Sequence, residues 1–138
     1  MHMIKFTYSF MRQSLDGFGE DYKYPVYAGV YCRTGFFARR YNAQIGFTAV
    51  TDTGKLLVSE YSVLGKEKKY IFPAYCLKSL KIKKLLLLPA YSIKAIFTVD
   101  GRKFRLDMTV SLKVGGGGFP EQAENAVNFI ETLAEWQI

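Results

Sequence analysis

Histidine and cysteine are scarce in this chain, which has one histidine, His2, and two cysteines among its 138 residues. This scarcity removes the side chain that most often acts as a general base or a metal ligand. Cys32 and Cys76 lack the close spacing of a zinc-binding pair, and the carboxylates are scattered over predicted turns and strand faces. The sequence therefore predicts no catalytic site, no metal and no cofactor, and it indicates a protein that is not an enzyme.

Long apolar runs are also missing from the sequence. The apolar run from Leu85 to Ala90 is short, whereas a helix needs about 18 apolar residues to span a bilayer. From Ile4 to Phe10, apolar residues alternate with polar ones, which predicts a strand and not the continuous apolar segment of a signal peptide. We expect a protein without a transmembrane segment.

Both cysteines lie in apolar segments that resemble strands. A free cysteine behaves as a small hydrophobic residue and is usually buried, and thiols stay reduced in the cytoplasm. We therefore expect Cys32 and Cys76 to be buried free thiols in a cytoplasmic protein. If the chain binds lipid, its location would be the inner face of the membrane.

What the sequence does contain is alternation of polar and apolar residues around turn signals. Alternating segments flank Asp100-Gly101, a dipeptide typical of a two-residue hairpin turn. Asp52-Thr53-Gly54 separates the segments 45–51 and 55–63, which are rich in β-branched and aromatic residues, and this predicts a second hairpin. Sequential antiparallel neighbours are the simplest arrangement for these strands.

The C-terminal segment has the pattern of an amphipathic helix. Residues 115–119 form a glycine-rich connector, and Pro120 follows at a position suited to the first turn of a helix. Apolar residues then recur at helical spacing, which predicts a helix over 120–137. The apolar stripe consists of Ala123, Ala126, Val127, Phe129, Ile130, Leu133, Ala134 and Trp136.

Together these elements predict one mainly β domain of the α+β class over residues 1–138. The sheet would be an antiparallel partly open barrel, or two packed sheets, capped by the C-terminal helix. Residues 1–23 would add a strand and a loop. A chain of this length buries roughly two-thirds of its unfolded surface, which is enough for a core without disulfides or metals.

The charge is distributed unevenly along the chain. Residues 114–138 contain four acids and no base, so the first 113 residues carry a net charge of +11. A basic sheet and an acidic helix are therefore expected, and the basic part would attract anionic partners. The predicted partner-binding surface consists of Lys68, Lys69, Lys78, Lys81, Lys83 and Lys84. The alternative is a solvated sheet face, on which Lys81 and Lys83 simply alternate with buried neighbours.

A second basic cluster lies between two predicted strands. Its residues are Arg33, Phe36, Phe37, Arg39 and Arg40. At a loop tip, the two phenylalanines could enter the lipid interface while the arginines contact anionic headgroups. The alternative is that both phenylalanines belong to the core.

Aromatic residues in the first third of the chain suggest one more partner. If Val26, Ala28 and Val30 face the core, Tyr27 and Tyr31 share the outer face of the strand and could stack on single-stranded nucleic acid. The acidic C-terminal helix argues against this, because it would repel a phosphate backbone.

The order of these segments resembles pleckstrin-homology-like domains, nearest to their bacterial and GRAM-type branches. The similarity covers residues 24–138 and rests on Tyr-Ile-Phe-Pro at 70–73, the lysine-rich segment 80–84, the Asp100-Gly101 hairpin and the final helix. It implies that a strand meeting a proline opens the second sheet, that the Asp-Gly hairpin precedes the last strands, and that an amphipathic helix caps one end of the barrel.

The resemblance also implies a site and a function. Family members that bind phosphoinositides use a basic loop between their first two strands, and Arg33, Arg39 and Arg40 occupy the comparable loop. Arg39 and Arg40 are adjacent, however, and Asn42 and Gln44 follow in place of further bases. The resemblance first implies a protein-interaction or oligomerisation module. We therefore expect a non-enzymatic binding module acting through a protein partner or self-association, with anionic membrane as the second hypothesis and single-stranded nucleic acid as the third.

Overall fold

The computed structural model of the chain describes residues 6–34, 44–62, 65–113 and 118–137. Within them, seven strands, two α-helices and one 3-10 turn follow in the order α1 (Tyr8–Asp16), β1 (Lys23–Thr34), β2 (Gln44–Val50), β3 (Lys55–Tyr61), β4 (Glu67–Pro73), the 3-10 turn (Ala74–Cys76), β5 (Leu77–Lys84), β6 (Ala90–Val99), β7 (Arg102–Ser111) and α2 (Gln122–Glu135). The expected mainly β domain with a C-terminal helix is confirmed.

All seven strands belong to one antiparallel sheet with the order β4-β3-β2-β1-β7-β6-β5. Consecutive strands are neighbours except β4 and β5, which lie at opposite edges although only the 3-10 turn separates them in the chain. Phe72 of β4 stacks on Phe97 of β6 with ring centroids 4.6 Å apart. The sheet therefore curls until residues near its two edges touch across the interior, and the barrel is partly open.

The two expected hairpins are present, with turns at residues 51–54 and at Asp100-Gly101. Alternate residues of β6, among them Ile93 and Phe97, are fully buried on the inner face of the sheet. Helix α2 packs on this inner face through Phe129 and Leu133. Cys76 is buried there and Cys32 is partly buried, and both are free thiols.

Helix α2 begins at Gln122, two residues later than expected, and Pro120 precedes it. Residue Glu121, at the N-cap, has a φ of 65°, in the left-handed region. The predicted apolar stripe omitted Gln122, which is buried because its side chain binds the sheet. Its Oε1 accepts from the Tyr27 N–H at 3.1 Å, and its Nε2 donates to the carbonyls of Tyr27 and Ser111. Residues 115–117 of the glycine-rich connector lie outside the described residues.

The predicted N-terminal strand is wrong, because residues 8–16 form helix α1. The Oγ1 of Thr7 accepts from the Phe10 N–H at 3.1 Å and so caps the first turn. Met11, Ser14 and Leu15 then fall on one buried face, at helical spacing. This spacing overrides the short alternation that precedes it.

Helix α1 covers half of the outer face of the sheet, the face opposite α2. Its side chains pack with Phe47, Leu57 and Tyr61 in a second core made of β2 and β3 residues. On the other side, Asn125 of α2 and Gln137, which follows the helix, donate to backbone carbonyls of β1 and β5. The outer face of β5, β6, β7 and the end of β1 is not covered by either helix.

Candidate binding cleft on the open sheet face

The open half of the outer face carries two parallel rows of side chains that cross four strands. Their positions follow from the register of β1 with β7, of β7 with β6 and of β6 with β5. The first row is Tyr31, Asp107, Lys94 and Lys81, and the second is Arg33, Arg105, Ile96 and Ser79. The residues between them along each strand, such as Leu106 and Leu80, point inward to the core. The sheet therefore places charged residues side by side on this face.

Two pairs of like charges stand directly opposite each other in these rows. Arg33 of β1 faces Arg105 of β7, and Lys94 of β6 faces Lys81 of β5. Directly opposed like charges destabilise a sheet by roughly 0.2–1 kcal/mol each. Both unfavourable pairs occur in one small region of the sheet. Positive charge is therefore concentrated in this region at a cost in stability.

A cleft of about 260 Å³ opens between these side chains. Four cations line it, namely Arg33, Lys81, Lys94 and Arg105, with Asp107 as the single acid. Although Asp107 faces Lys94 in the register, no ion pair within 4.0 Å joins these five residues to each other or to another described residue. The cleft therefore has a net positive charge that the described part of the chain leaves uncompensated.

The arginine at the end of β1 is the most enclosed of the four cations. The Nε of Arg33 is buried and has no hydrogen-bond partner among the described residues. Its guanidinium carbon lies 5.6 Å from the centre of the Tyr31 ring, within the range of a cation–π contact. A buried donor without a partner costs free energy.

The structure brings together only part of the predicted site. Of the predicted loop cluster, Arg33 lines the cleft, whereas Phe36, Phe37, Arg39 and Arg40 lie outside the described residues. Whether the two phenylalanines are exposed or buried therefore stays a prediction.

The six lysines predicted as one partner-binding surface are divided between two edge strands. Lys68 and Lys69 belong to β4, and Lys78, Lys81, Lys83 and Lys84 belong to β5. The Nζ of Lys69 lies 4.0 Å from a Glu67 carboxylate oxygen and 5.0 Å from the centre of the Phe18 ring, on the side of α1. Only Lys81 lines the cleft, so the six lysines do not form this site, and a single partner-binding surface made of them stays a prediction.

Of the cleft residues, only Arg33 and Lys81 were predicted, and Lys94 and Arg105 are the two cations that the sequence did not point to. Both are exposed residues on interior strands, at polar positions of the alternation beside the Asp100-Gly101 turn. That alternation already placed them on the outer face of the hairpin. The register of β6 with β7 was the signal that could have found them.

No protein-family model, curated protein or solved structure matches the chain. Its function must be inferred from its own residues. Within the described ranges, no group of three or more His, Cys, Asp or Glu side chains is placed to hold a metal ion. In the same ranges, neither helix is long and apolar enough to cross a membrane.

A second group of titratable residues lies on the inner face, where burial favours the neutral form of each. Burial raises the pKa of Glu60, whose Oε2 accepts from the Cys32 N–H at 2.8 Å. Burial also raises the pKa of Cys32 to about 12, and it raises the pKa of Tyr70. A thiol acts as a nucleophile through its thiolate, so Cys32 at neutral pH is an inert core residue.

Proposed function

We propose that the protein is a non-enzymatic binding module that holds an acidic polypeptide segment in the basic cleft of its sheet. The observation that carries the proposal is the pair of opposed like charges, Arg33 with Arg105 and Lys94 with Lys81. A bound anion between the members of each pair converts two repulsions into attractions, and the free energy gained appears as affinity.

Protection of sheet edges accounts for part of this charge but not for all of it. Lysines on an edge strand discourage pairing with other chains, and this explains Lys81 and Lys83 on β5. Lys94 and Arg105 lie on β6 and β7, and Arg33 lies on β1, all of them interior strands of the sheet. The cations on interior strands need another reason, and an anionic ligand supplies it.

Carboxylates fit this cleft better than a nucleic-acid strand does. Arginine binds carboxylates in a bidentate fashion, and the cleft contains two arginines separated by one strand spacing. Stacking of bases needs several free aromatic faces. Tyr27, which could have provided one, packs against Phe119 and Phe47 with centroid distances of 5.0 and 5.9 Å.

The chain itself contains an acidic segment of the required kind. Helix α2 exposes Glu124, Glu131 and Glu135, and the last 25 residues contain no base. A second copy could therefore supply the acidic segment, which is the self-association form of the same proposal. Because the cleft and α2 lie on opposite faces of the sheet, such contacts would be head-to-tail.

We also propose that the domain belongs to the pleckstrin-homology-like superfamily. Three features support this proposal: β4 ends at Pro73 before the second group of strands begins, Asp100-Gly101 turns the chain ahead of the last strand, and α2 packs on the open barrel. Each of them is a feature that the resemblance implied.

The proposal can be tested with a fluorescein-labelled peptide of about ten glutamates, its binding followed by anisotropy at low salt and near physiological salt. We expect binding that weakens as salt rises. Replacing Lys94 and Arg105 by Gln should weaken it about tenfold or more, because two cations of the cleft are lost. Light scattering at both salt concentrations reports any self-association.

A matched control removes the same charge elsewhere. Lys66→Gln with Lys113→Gln changes two exposed lysines outside the cleft, and we expect less than a twofold effect. Equal losses in the two double variants would show that only net charge matters and would contradict a cleft. Tighter binding of a single-stranded oligonucleotide than of the peptide would favour nucleic acid instead.

A further inference from the structure

The turn between β5 and β6 holds the most exposed large apolar side chains of the described chain. Leu86 and Leu87 are 95% and 96% exposed, and Leu88 is 61% exposed. We call these three residues the leucine tip. Single exposed hydrophobic residues are common on protein surfaces, but three consecutive leucines at the end of a hairpin form a contiguous apolar surface.

Backbone hydrogen bonds hold the tip in place. The Leu85 N–H donates to the Ala90 carbonyl at 2.9 Å, and the Ala90 N–H donates to the Leu88 carbonyl at 2.8 Å. The Leu112 N–H, beyond the end of β7, donates to the Pro89 carbonyl at 2.7 Å. The backbone is thus fixed on both sides of the leucines, while Leu85 is partly buried beside them. The leucines are held outward by a defined turn.

Only positive charge surrounds the leucine tip along the chain. Lys83 and Lys84 precede it and are exposed. Residues 68–99, which include all of β5, the tip and β6, contain no Asp or Glu. Lys113 follows Leu112, whose N–H donates to the carbonyl of Pro89, the residue after the tip. Exposed leucines flanked by lysines match the interface of an anionic membrane, where acyl chains lie beneath negative headgroups.

We infer that the leucine tip inserts into the interface of an anionic lipid membrane while Lys83 and Lys84 contact its headgroups. The inference goes beyond the proposed function, since no residue of the tip lines the basic cleft. A narrow convex tip with charge of one sign suits a lipid surface. A protein hot spot would instead need a pocket into which these leucines could fit.

The expected strength of these contacts is that of reversible attachment to a membrane. Full transfer of one leucine out of water raises an association constant roughly 10-fold to 100-fold, and each lysine near an anionic surface adds about fivefold. Two or three leucines that insert only partly therefore give weak binding, of the kind that needs a second contact for stable anchoring. A partner held in the cleft could provide that contact.

Sedimentation with phosphatidylcholine vesicles, with and without about 30% phosphatidylglycerol, tests the inference. We expect binding to the anionic vesicles and at least fivefold weaker binding to the neutral ones. Leu86→Ser with Leu87→Ser should reduce binding to anionic vesicles at least tenfold. Lys83→Gln with Lys84→Gln should remove most of the preference for phosphatidylglycerol.

Tyr75→Ser is the matched control, because Tyr75 is 85% exposed on the 3-10 turn; we expect a change of less than twofold. Every variant should melt within a few degrees of the parent protein, since exposed residues contribute little to the core. Unchanged vesicle binding by the leucine variant would overturn the inference. So would a lipid-free dimer that the leucine variant abolishes, because the tip would then be an interface between copies. Glutamate-peptide binding by the same variant should stay unchanged, which separates this test from that of the cleft.

Discussion

The two halves of the outer sheet face differ although the same strand alternation builds both. On the half beneath α1, outward residues such as Phe47 and Leu57 are apolar and fully buried. On the open half, the equivalent positions hold Lys94 and Arg105. The change occurs within β1, where Tyr27 belongs to the covered half and Arg33 lines the cleft. Alternation alone therefore identifies which residues face outward but not whether they are covered.

The covered half also contains a polar network that ties α1 to the sheet. Glu67 Oε2 accepts hydrogen bonds from the hydroxyls of Ser14, Ser59 and Tyr61, and Ser14 also bonds to Tyr61. Burial opposes ionisation of Glu67, but these hydrogen bonds outweigh it and lower its pKa. The Glu67 carboxylate on the covered half thus has hydrogen-bond partners within the chain, whereas no ion pair with a described residue involves the charged side chains of the cleft.

The largest expected effect is on the covered half. Phe47→Ala should lower the free energy of unfolding by about 3–5 kcal/mol, because a fully buried ring is replaced by a cavity. Urea denaturation measures the change. Ile96→Ala is the counterpart on the open half, where the side chain lines the cleft and is only partly buried, so it should cost much less. Equal losses would mean that the two halves do not differ as described.

A smaller effect should follow from acidification. The pKa of Glu67 is lowered by folding, so its contribution to stability is present above the unfolded value of about 4.3 and is lost as pH falls through the folded value. Glu67→Gln should therefore lose less stability than the parent protein between neutral pH and the acid range. Chemical denaturation at several pH values measures this difference.

Glu60→Gln provides the opposite case. Because burial raises the pKa of Glu60, protonation of this carboxyl favours the folded state, and its contribution grows as pH falls. Removing the carboxyl should therefore make the protein lose more stability on acidification than the parent does. A change of the same sign in both variants would contradict the opposite environments of the two carboxylates.

The smallest effect is expected on the open half, and it is a gain. Arg105→Thr removes one member of an opposed like-charge pair, so we expect stability to rise by about 0.2–1 kcal/mol at low salt. Lys103→Thr is a suitable control, because Lys103 faces Thr98 on β6. Thermal unfolding at low and high salt should show that only the gain at Arg105 shrinks when charges are screened. A loss of stability in Arg105→Thr would indicate that the arginine has a structural role.

Local signals predicted much of the fold. The Asp100-Gly101 hairpin and the C-terminal helix were expected from alternation, turn residues and helical spacing, and both are present. Helix α1 was missed because the apolar alternation from Ile4 to Phe10 competed with the helical spacing of Met11, Ser14 and Leu15. The outcome depended on packing against Phe47, which is distant in sequence.

The candidate cleft was harder to predict because it depends on distant pairing. Lys94 and Asp107 are brought together by a local hairpin register. The approach of Arg33 to Arg105 depends on the pairing of β1 with β7, and no turn residue encodes that pairing. Clustering lysines by their positions along the chain grouped residues of β4 and β5 that the sheet places at opposite edges.

The junction between β1 and β7 has a consequence for the time course of folding. Strands β1–β4 and β5–β7 are two meanders of local hairpins, and β1 with β7 is the ladder that joins them. Closing a long loop costs conformational entropy before the contacts that offset this cost have formed. Distant pairings therefore form slowly compared with local hairpins. The cleft takes Arg33 from the first meander and Arg105, Lys94 and Lys81 from the second. The cleft that we propose as the binding site is therefore complete only after the two meanders have joined.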